Sequence, residues 1–407
     1  MQRLKASVGV LAAITMTTAV VTTAPATAND QGVDTAVKQA MNSVALGTMK
    51  SAYVADAASG AKVVSVSGVK PMIPASTMKL ITAFAAVRAL GAEHRFTTKV
   101  VRGRDSNVMV LVGGGDPVLT RDDLATLAQR TKKGMGRNNM LGTVRVDFDD
   151  DMFASPTNAP GWEAGDMPTY ISAVRPLTIL GSYSTDTSRV ASQAFVDALT
   201  ARGVTAVLGQ RVSAPSASLR LGRFRGNDVA EALQVLLPVS ENNVSEILFR
   251  LVAKKERNAT GWRDGSRAVR GLLKAEGIWV KGAHIIDGSG LSYRNRLTAR
   301  TLTETLTLIA TDPELRSIRN ALPTAGQSGT MRNRFLQSPA SCARGQVVAK
   351  TGSLPPTVST LAGFTTSPNA PSRAFALLVN NRPSSQTWSA TSAAIDAVAA
   401  AAHGCSR

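Results

Sequence analysis

The chain has 407 residues, 44% of them apolar, with 46 Lys and Arg against 28 Asp and Glu, a formal charge of +18, and two cysteines. That length argues for two domains. The basic residues are scattered rather than massed in one arm, which argues against nucleic acid and leaves an anionic cell wall or membrane surface as the natural counterpart.

Residues 1–28 have the form of an export signal: Arg3 and Lys5, an apolar-to-neutral run over 6–23, and the small-residue pattern Ala26-Thr27-Ala28. No later stretch approaches the roughly 18 apolar residues of a membrane-spanning helix. The mature protein is therefore expected in the periplasm or the extracellular cell-wall space. In an exported chain, Cys342 and Cys405 are expected to pair as a disulfide. It would close a loop worth about 4 kcal/mol in the chain-entropy model.

A first helix is predicted over 34–46, then paired strands at 51–56 and 62–67, then a helix over 76–90 ended by Gly91 as its C-cap. Pro74 stands just ahead of that helix, where a proline costs no helical hydrogen bond. Its residues leave almost no polar face, so it should be buried. Beyond Phe96 the texture changes. Strands at 98–102 and 108–112, a glycine turn at 113–117, a helix over 121–133, a strand at 143–148, a helix over 187–202 and short strands near 204–208 and 218–221 read as an inserted α+β domain, 98–234. Helices follow at 228–237, 241–256, 263–276 and 301–311, then strands at 345–351, 359–366 and 373–380, and a last helix over 385–402. Strands at both ends of the chain suggest one antiparallel sheet flanked by helices and assembled from 29–97 and 235–407.

Ser-x-x-Lys occurs three times: Ser59 to Lys62, Ser67 to Lys70 and Ser76 to Lys79. The first two flank a strand, where the two side chains would not share a face. Only Ser76 and Lys79 lie one turn apart on one side of a helix. A serine hydroxyl needs a neighbouring base before it attacks, and a lysine in an apolar helix is pushed toward its neutral form. Alone, the pair is also consistent with an N-capping serine and a lysine whose head reaches the surface. The three histidines, His94, His284 and His403, are far apart and show no close zinc-ligand spacing. The glycines at 113–115 lack a following Gly-Lys-Ser/Thr, and no Gly-x-Ser-x-Gly elbow occurs. No cofactor or metal is implied.

Two further motifs change the weight on Ser76. Ser240-Glu241-Asn242 precedes a helix, where it could be no more than an N-cap, and Lys350-Thr351-Gly352-Ser353 ends an apolar strand. Ser-x-x-Lys, Ser-x-Asn and Lys-Thr-Gly in that order, on helix, loop and strand, form the set associated with penicillin-binding proteins and serine β-lactamases. The chain resembles the class C low-molecular-mass penicillin-binding proteins, the D-alanyl-D-alanine carboxypeptidase/endopeptidase family. Gly113 to Pro117, Ala159 to Trp162, Asp287 to Ser292, Gly329 to Arg334 and Ala349 to Leu354 extend the resemblance over nearly the whole mature chain.

The resemblance implies the penicillin-binding protein/serine β-lactamase-like α+β fold and a serine D-alanyl-D-alanine carboxypeptidase, or endopeptidase, acting on peptidoglycan stem peptides and inhibited covalently by β-lactams. It makes Ser76 the acylated nucleophile, Lys79 its base, Ser240 a proton relay and Asn242 a ligand of the substrate amide. Lys350 and Thr351 would hold the terminal carboxylate, Gly352 would let substrate lie along the strand edge, and the N–H groups of Ser76 and Ser353 would form the oxyanion hole. The family also brings an acidic insert residue toward the site, with Asp149, Asp150, Asp151 and Glu163 as candidates, and the short interval from Lys79 to Ser240 implies a reduced or missing second insert. Lys350 is expected to help depress the pKa of Lys79. The alternatives are a non-catalytic wall-binding or scaffolding protein and, less well matched, a β-lactamase.

Overall fold

The computed structural model describes residues 28–140, 142–366 and 371–405. The expected export signal lies outside them, apart from Ala28. The strands are β1 (Met49–Asp56), β2 (Lys62–Val66), β3 (Arg95–Arg102), β4 (Val108–Val112), β5 (Val144–Asp149), β6 (Ala206–Arg211), β7 (Arg220–Asp228), β8 (Val347–Leu354), β9 (Val358–Thr365) and β10 (Arg373–Asn380). The helices are α1 (Ala28–Ala40), α2 (Met78–Leu90), α3 (Arg121–Arg137), the single turn α4 (Asp166–Thr169), α5 (Thr187–Thr200), α6 (Val229–Val239), α7 (Asn242–Arg257), α8 (Trp262–Ala275), α9 (Ala299–Thr311), α10 (Arg316–Asn320) and α11 (Trp388–His403).

One sheet is antiparallel throughout, in the order β2-β1-β10-β9-β8. It joins the two ends of the chain, with Met49 opposite Asn380 and Gly352 opposite Thr360. Strand β10 is buried at every position because helices cover both faces. Phe375, Leu377 and Val379 face α1 and α11, while Ala374, Ala376 and Leu378 face the helical layer that contains α2, α6, α7, α8 and α9. This period-2 division explains why so apolar a run forms a strand rather than a helix. Strand β8 ends the sheet; residues 323–325 pair with the start of its outer edge, and the part from Lys350 onward is left for the site.

The second sheet, β6-β5-β4-β3-β7, is drawn from residues 95–228. Strand β3 is antiparallel to β4 and β7, whereas β4, β5 and β6 run parallel. Residues of α3 and α5, among them Leu124, Leu127, Phe195 and Leu199, cover it with an apolar layer of their own. The regions are not separate bodies, since Val118, Phe153, Ala159 and Val174 share one cluster with α2 and α7. Arg250 of α7 fastens that seam. Fully buried, it donates to the carbonyls of Ala154, Pro156, Val174 and Thr260, with its guanidinium against Phe153 and Trp262.

Several helix ends depart from the sequence reading, among them the start of α2 at Met78 rather than Ser76, and two of the departures have a clear cause. The first helix spans Ala28–Ala40 rather than 34–46, and a separate turn covers Val44–Leu46. Its early start is held by Asp30, which pairs with buried Arg373 at 3.0 Å. Helix α6 runs through Pro238 instead of stopping before it. The proline lies in the last turn, so the helix loses one hydrogen bond and no continuation. Cys342 and Cys405 form the expected disulfide, with Cα atoms 6.3 Å apart, and tie the tail after α11 to the segment ahead of β8.

Candidate active site

Ser76 sits in a 3-10 turn, Ala75–Thr77, that leads directly into α2. Ala75 adopts φ +45, a left-handed conformation unfavourable for a residue with a Cβ. The surroundings enforce it. Thr77 and Thr360 both donate their hydroxyls to the Pro74 carbonyl, at 2.6 and 2.9 Å. The Ala75 carbonyl lies so close to Gly290 that any Cβ there would overlap it. Ser76 is thus presented, half-buried, from a turn its neighbours hold fixed.

Lys79 follows one turn later and is fully buried. Its Nζ lies 3.0 Å from Ser76 Oγ, 2.7 Å from Asn242 Oδ1 and 2.8 Å from the Ser289 carbonyl oxygen. Two fixed acceptors therefore aim the ammonium at the serine. Burial pushes the Lys79 pKa down to about 8, against the opposing pull of Glu246, Asp287 and Glu241. Lys350 is also fully buried, and burial first, then repulsion from Lys79, hold it well below the ordinary lysine range. The expected repulsion between the two cations therefore falls on Lys350. Lys79 owes its depression to burial.

Ser240 ends α6 in the left-handed conformation, φ +64 and ψ +40, and does not cap the next helix. Glu241 does that, accepting from the Val244 N–H at 2.7 Å. Asn242 is then the first residue of α7, with its Oδ1 toward Lys79 and its Nδ2 donating to the Tyr170 carbonyl at 2.8 Å. Ser172 N–H donates to Asn243 Oδ1 at 2.8 Å, and Tyr183 donates its hydroxyl to Glu241 at 3.0 Å. The 166–184 segment of the second region is in this way pinned beside the Ser-x-Asn motif.

On β8, Lys350 donates to the Thr351 carbonyl at 2.7 Å, and the Thr351 hydroxyl donates to that of Thr330 at 2.8 Å. Gly352 is buried, and a Cβ there would lie 2.9 Å from Ser76 N and against the Thr360 hydroxyl. The glycine is needed because the strand presses on the nucleophile's turn. Ser353 is exposed beyond it. Ser76, Lys79, Asn242 and Gly352 are thus in direct contact or nearly so, Lys350 couples to Lys79 by charge, and Ser240 enters through its place in the chain.

Motif reading marked the stretch from Asp287 to Ser292 but gave no role to the layer behind Lys79, and it missed Glu246. Glu246, four residues after Asn242, is fully buried and accepts the N–H groups of Gly288 and Ser289 at 2.8 and 2.7 Å. Asp287, also fully buried, accepts from Gly290 N, Ser292 N, Asn295 Nδ2 and Trp162 Nε1, at 2.6–2.9 Å. The i, i+4 spacing from Asn242 was the one available signal for Glu246. Of the acidic insert candidates, Asp149 and Asp151 engage the segment after β6, while Asp150 pairs with Arg175 and Arg211. Glu163 is exposed; burial first, then the charges of Glu163 and Asp166, push the Tyr293 pKa up. Among the described residues no group of three or more His, Cys, Asp or Glu could hold a metal ion.

A helix-borne Ser-x-x-Lys beside the edge strand of a five-stranded antiparallel sheet belongs to the penicillin-binding protein fold. The structure matches penicillin binding protein 4 (dacB) of Haemophilus influenzae with a TM-score of 0.77 and 21% identity, covering 89% of this chain and 97% of that one. The same protein in complex with a β-lactam matches with a TM-score of 0.69 at 21% identity and the same coverage, 89% and 97%. The chain belongs to the D-Ala-D-Ala carboxypeptidase 3 (S13) family, which matches residues 33–185 and 178–402. Carboxypeptidase DacB of Mycolicibacterium smegmatis is 33% identical over 400 residues, 92% of this chain and 84% of the relative. The family read from the motifs is the family found, and the protein is an enzyme of it.

Proposed function

We propose that this enzyme is a serine D-alanyl-D-alanine carboxypeptidase that trims peptidoglycan stem peptides through an acyl-enzyme on Ser76. The observation that carries the reading is the 3.0 Å contact between Lys79 Nζ and Ser76 Oγ, made by a lysine whose pKa is lowered to about 8. A fraction of Lys79 is then neutral near neutral pH and can take the serine proton as Ser76 attacks the penultimate D-alanine carbonyl. The N–H groups of Ser76 and Ser353 receive the developing oxyanion. Asn242 binds the substrate amide, Ser240 passes a proton to the departing D-alanine, and Lys350 with Thr351 holds its carboxylate. Water then hydrolyses the ester. A β-lactam would acylate the same serine, a reading supported by the β-lactam complex of the Haemophilus relative.

Residues 29–97 and 235–407 would form the peptidase domain and 98–234 an insert, a division supported by the separate sheet within 95–228. Action on the wall requires export, with the signal in residues 1–28, and the net positive charge suits an anionic wall surface. The reading is tested with Ser76→Ala. It should lose covalent labelling by a fluorescent penicillin and release of D-alanine from a pentapeptide. Persistent labelling would overturn the assignment, and a wild-type protein that binds wall but releases no D-alanine would favour a non-catalytic role.

A further inference from the structure

The loop 287–292 stands between Lys79 and two buried carboxylates, and its peptide groups are aligned by them. The N–H groups of Gly288 and Ser289 point to Glu246, and that of Gly290 points to Asp287. The peptide joining Ser289 to Gly290 therefore donates to Asp287 at 2.9 Å at one end and accepts from Lys79 at 2.8 Å at the other. The preceding peptide donates to Glu246, while its Gly288 carbonyl accepts the hydroxyls of Thr82 and Ser245 at 2.6 and 2.7 Å. Each peptide dipole thus has its positive end on a carboxylate, and the second turns its negative end to Lys79.

We infer that Glu246 and Asp287 are positioning residues that set the proton affinity of Lys79 through the 287–290 peptides; this rests on the reading that Lys79 is the base. A lysine this deeply buried, left alone, would hold its proton too weakly to strip a serine hydroxyl. Negative charge placed behind it restores that affinity without touching the serine. The charged groups that act on Lys79 are Glu246 from α7, Asp287 from the loop and Glu241 at the cap of α7, while Lys350 of β8 faces it and takes the repulsion. Those around Glu246 are Lys79, Asp287 and Arg250. Burial and Asp287 push Glu246 up, against the Ser289 hydroxyl and the two backbone donors that favour its ionised form. Both of its oxygens accept hydrogen bonds, which favours the ionised form over the neutral one.

The test is the pH profile of acylation by a fluorescent penicillin in the full chain. Glu246→Gln removes the charge and keeps the length, so the acid limb should move to lower pH by about one unit. Glu246→Asp, which keeps the charge, should hold the limb at its wild-type position even if the rate drops. Thr82→Val, which loosens the loop without changing charge, should lower the rate at every pH and leave the limb in place. An unmoved limb in folded Glu246→Gln would overturn the inference. Should that variant not fold, Asp287→Asn is read the same way, and failure of both to fold would assign the pair to stability and overturn it as well. A wild-type protein that does not acylate at all would instead defeat the underlying reading.

Discussion

Around Ser76 the chain buries Lys79, Lys350, Glu246 and Asp287 completely, whereas beside the second sheet buried Asp150 is paired with arginines that reach solvent. Arg175 and Arg211 reach Asp150 at 3.1 and 3.0 Å, and Arg211 reaches Asp186 at 2.7 Å, with the two guanidinium groups 23% and 38% exposed. In the first region neither lysine has a carboxylate in contact, and each is held by neutral oxygens instead. Taking a charge out of water without an ion-pair partner is costly and shifts its proton affinity. Pairing at a wet rim shifts little and stabilises little. The contrast teaches where to look: two neighbouring lysines buried without direct neutralisation mark chemistry, and arginines paired toward the surface mark attachment.

The sharpest way to break this contrast is Lys79→Arg. Arginine keeps the charge but does not give up its proton, so acylation by a fluorescent penicillin should slow by about 10³-fold. A near wild-type rate would show that another group takes the serine proton. Arg250→Ala tests the seam, where a buried cation is fully occupied by backbone carbonyls. Leaving those carbonyls without a donor should cost about 3–4 kcal/mol, read as a lower urea midpoint. A loss under about 1 kcal/mol would mean that water replaces the guanidinium there. The smallest effect is expected at the rim, where Arg211→Ala should change stability by no more than about 1 kcal/mol and leave acylation unaltered. A large loss would show that the second sheet depends on its surface pairs as the site depends on its buried ones.

Much of the sheet was legible because the β-branched and alternating texture of β9 and the short apolar run of β10 fit strands of this length. The Ser76–Lys79 pair was legible because helical spacing puts the two on one side. The early start of α1 was not, since it depends on Asp30 meeting Arg373, 343 residues away. The motif gave Ser240 a place as proton relay, with a helix cap as the plain alternative, but not its left-handed conformation, which follows from how α6 hands over to α7. Glu246 looks in sequence like any helical glutamate. Its burial is created by a loop more than 40 positions later, and only the fold brings the two together.

The sheet built from both ends of the chain has a consequence in time. Strands β1 and β2 are made early, but β1 pairs with β10, and the edge strand beside Ser76 is β8. The nucleophile and its lysine therefore leave the ribosome long before residues 289 and 350, which complete their surroundings. The second sheet, contained within residues 95–228, has all its strands in hand by then and can fold first. A partly synthesised chain thus holds every strand of the second sheet but no assembled site. The hydrolase remains inert until its last strands arrive.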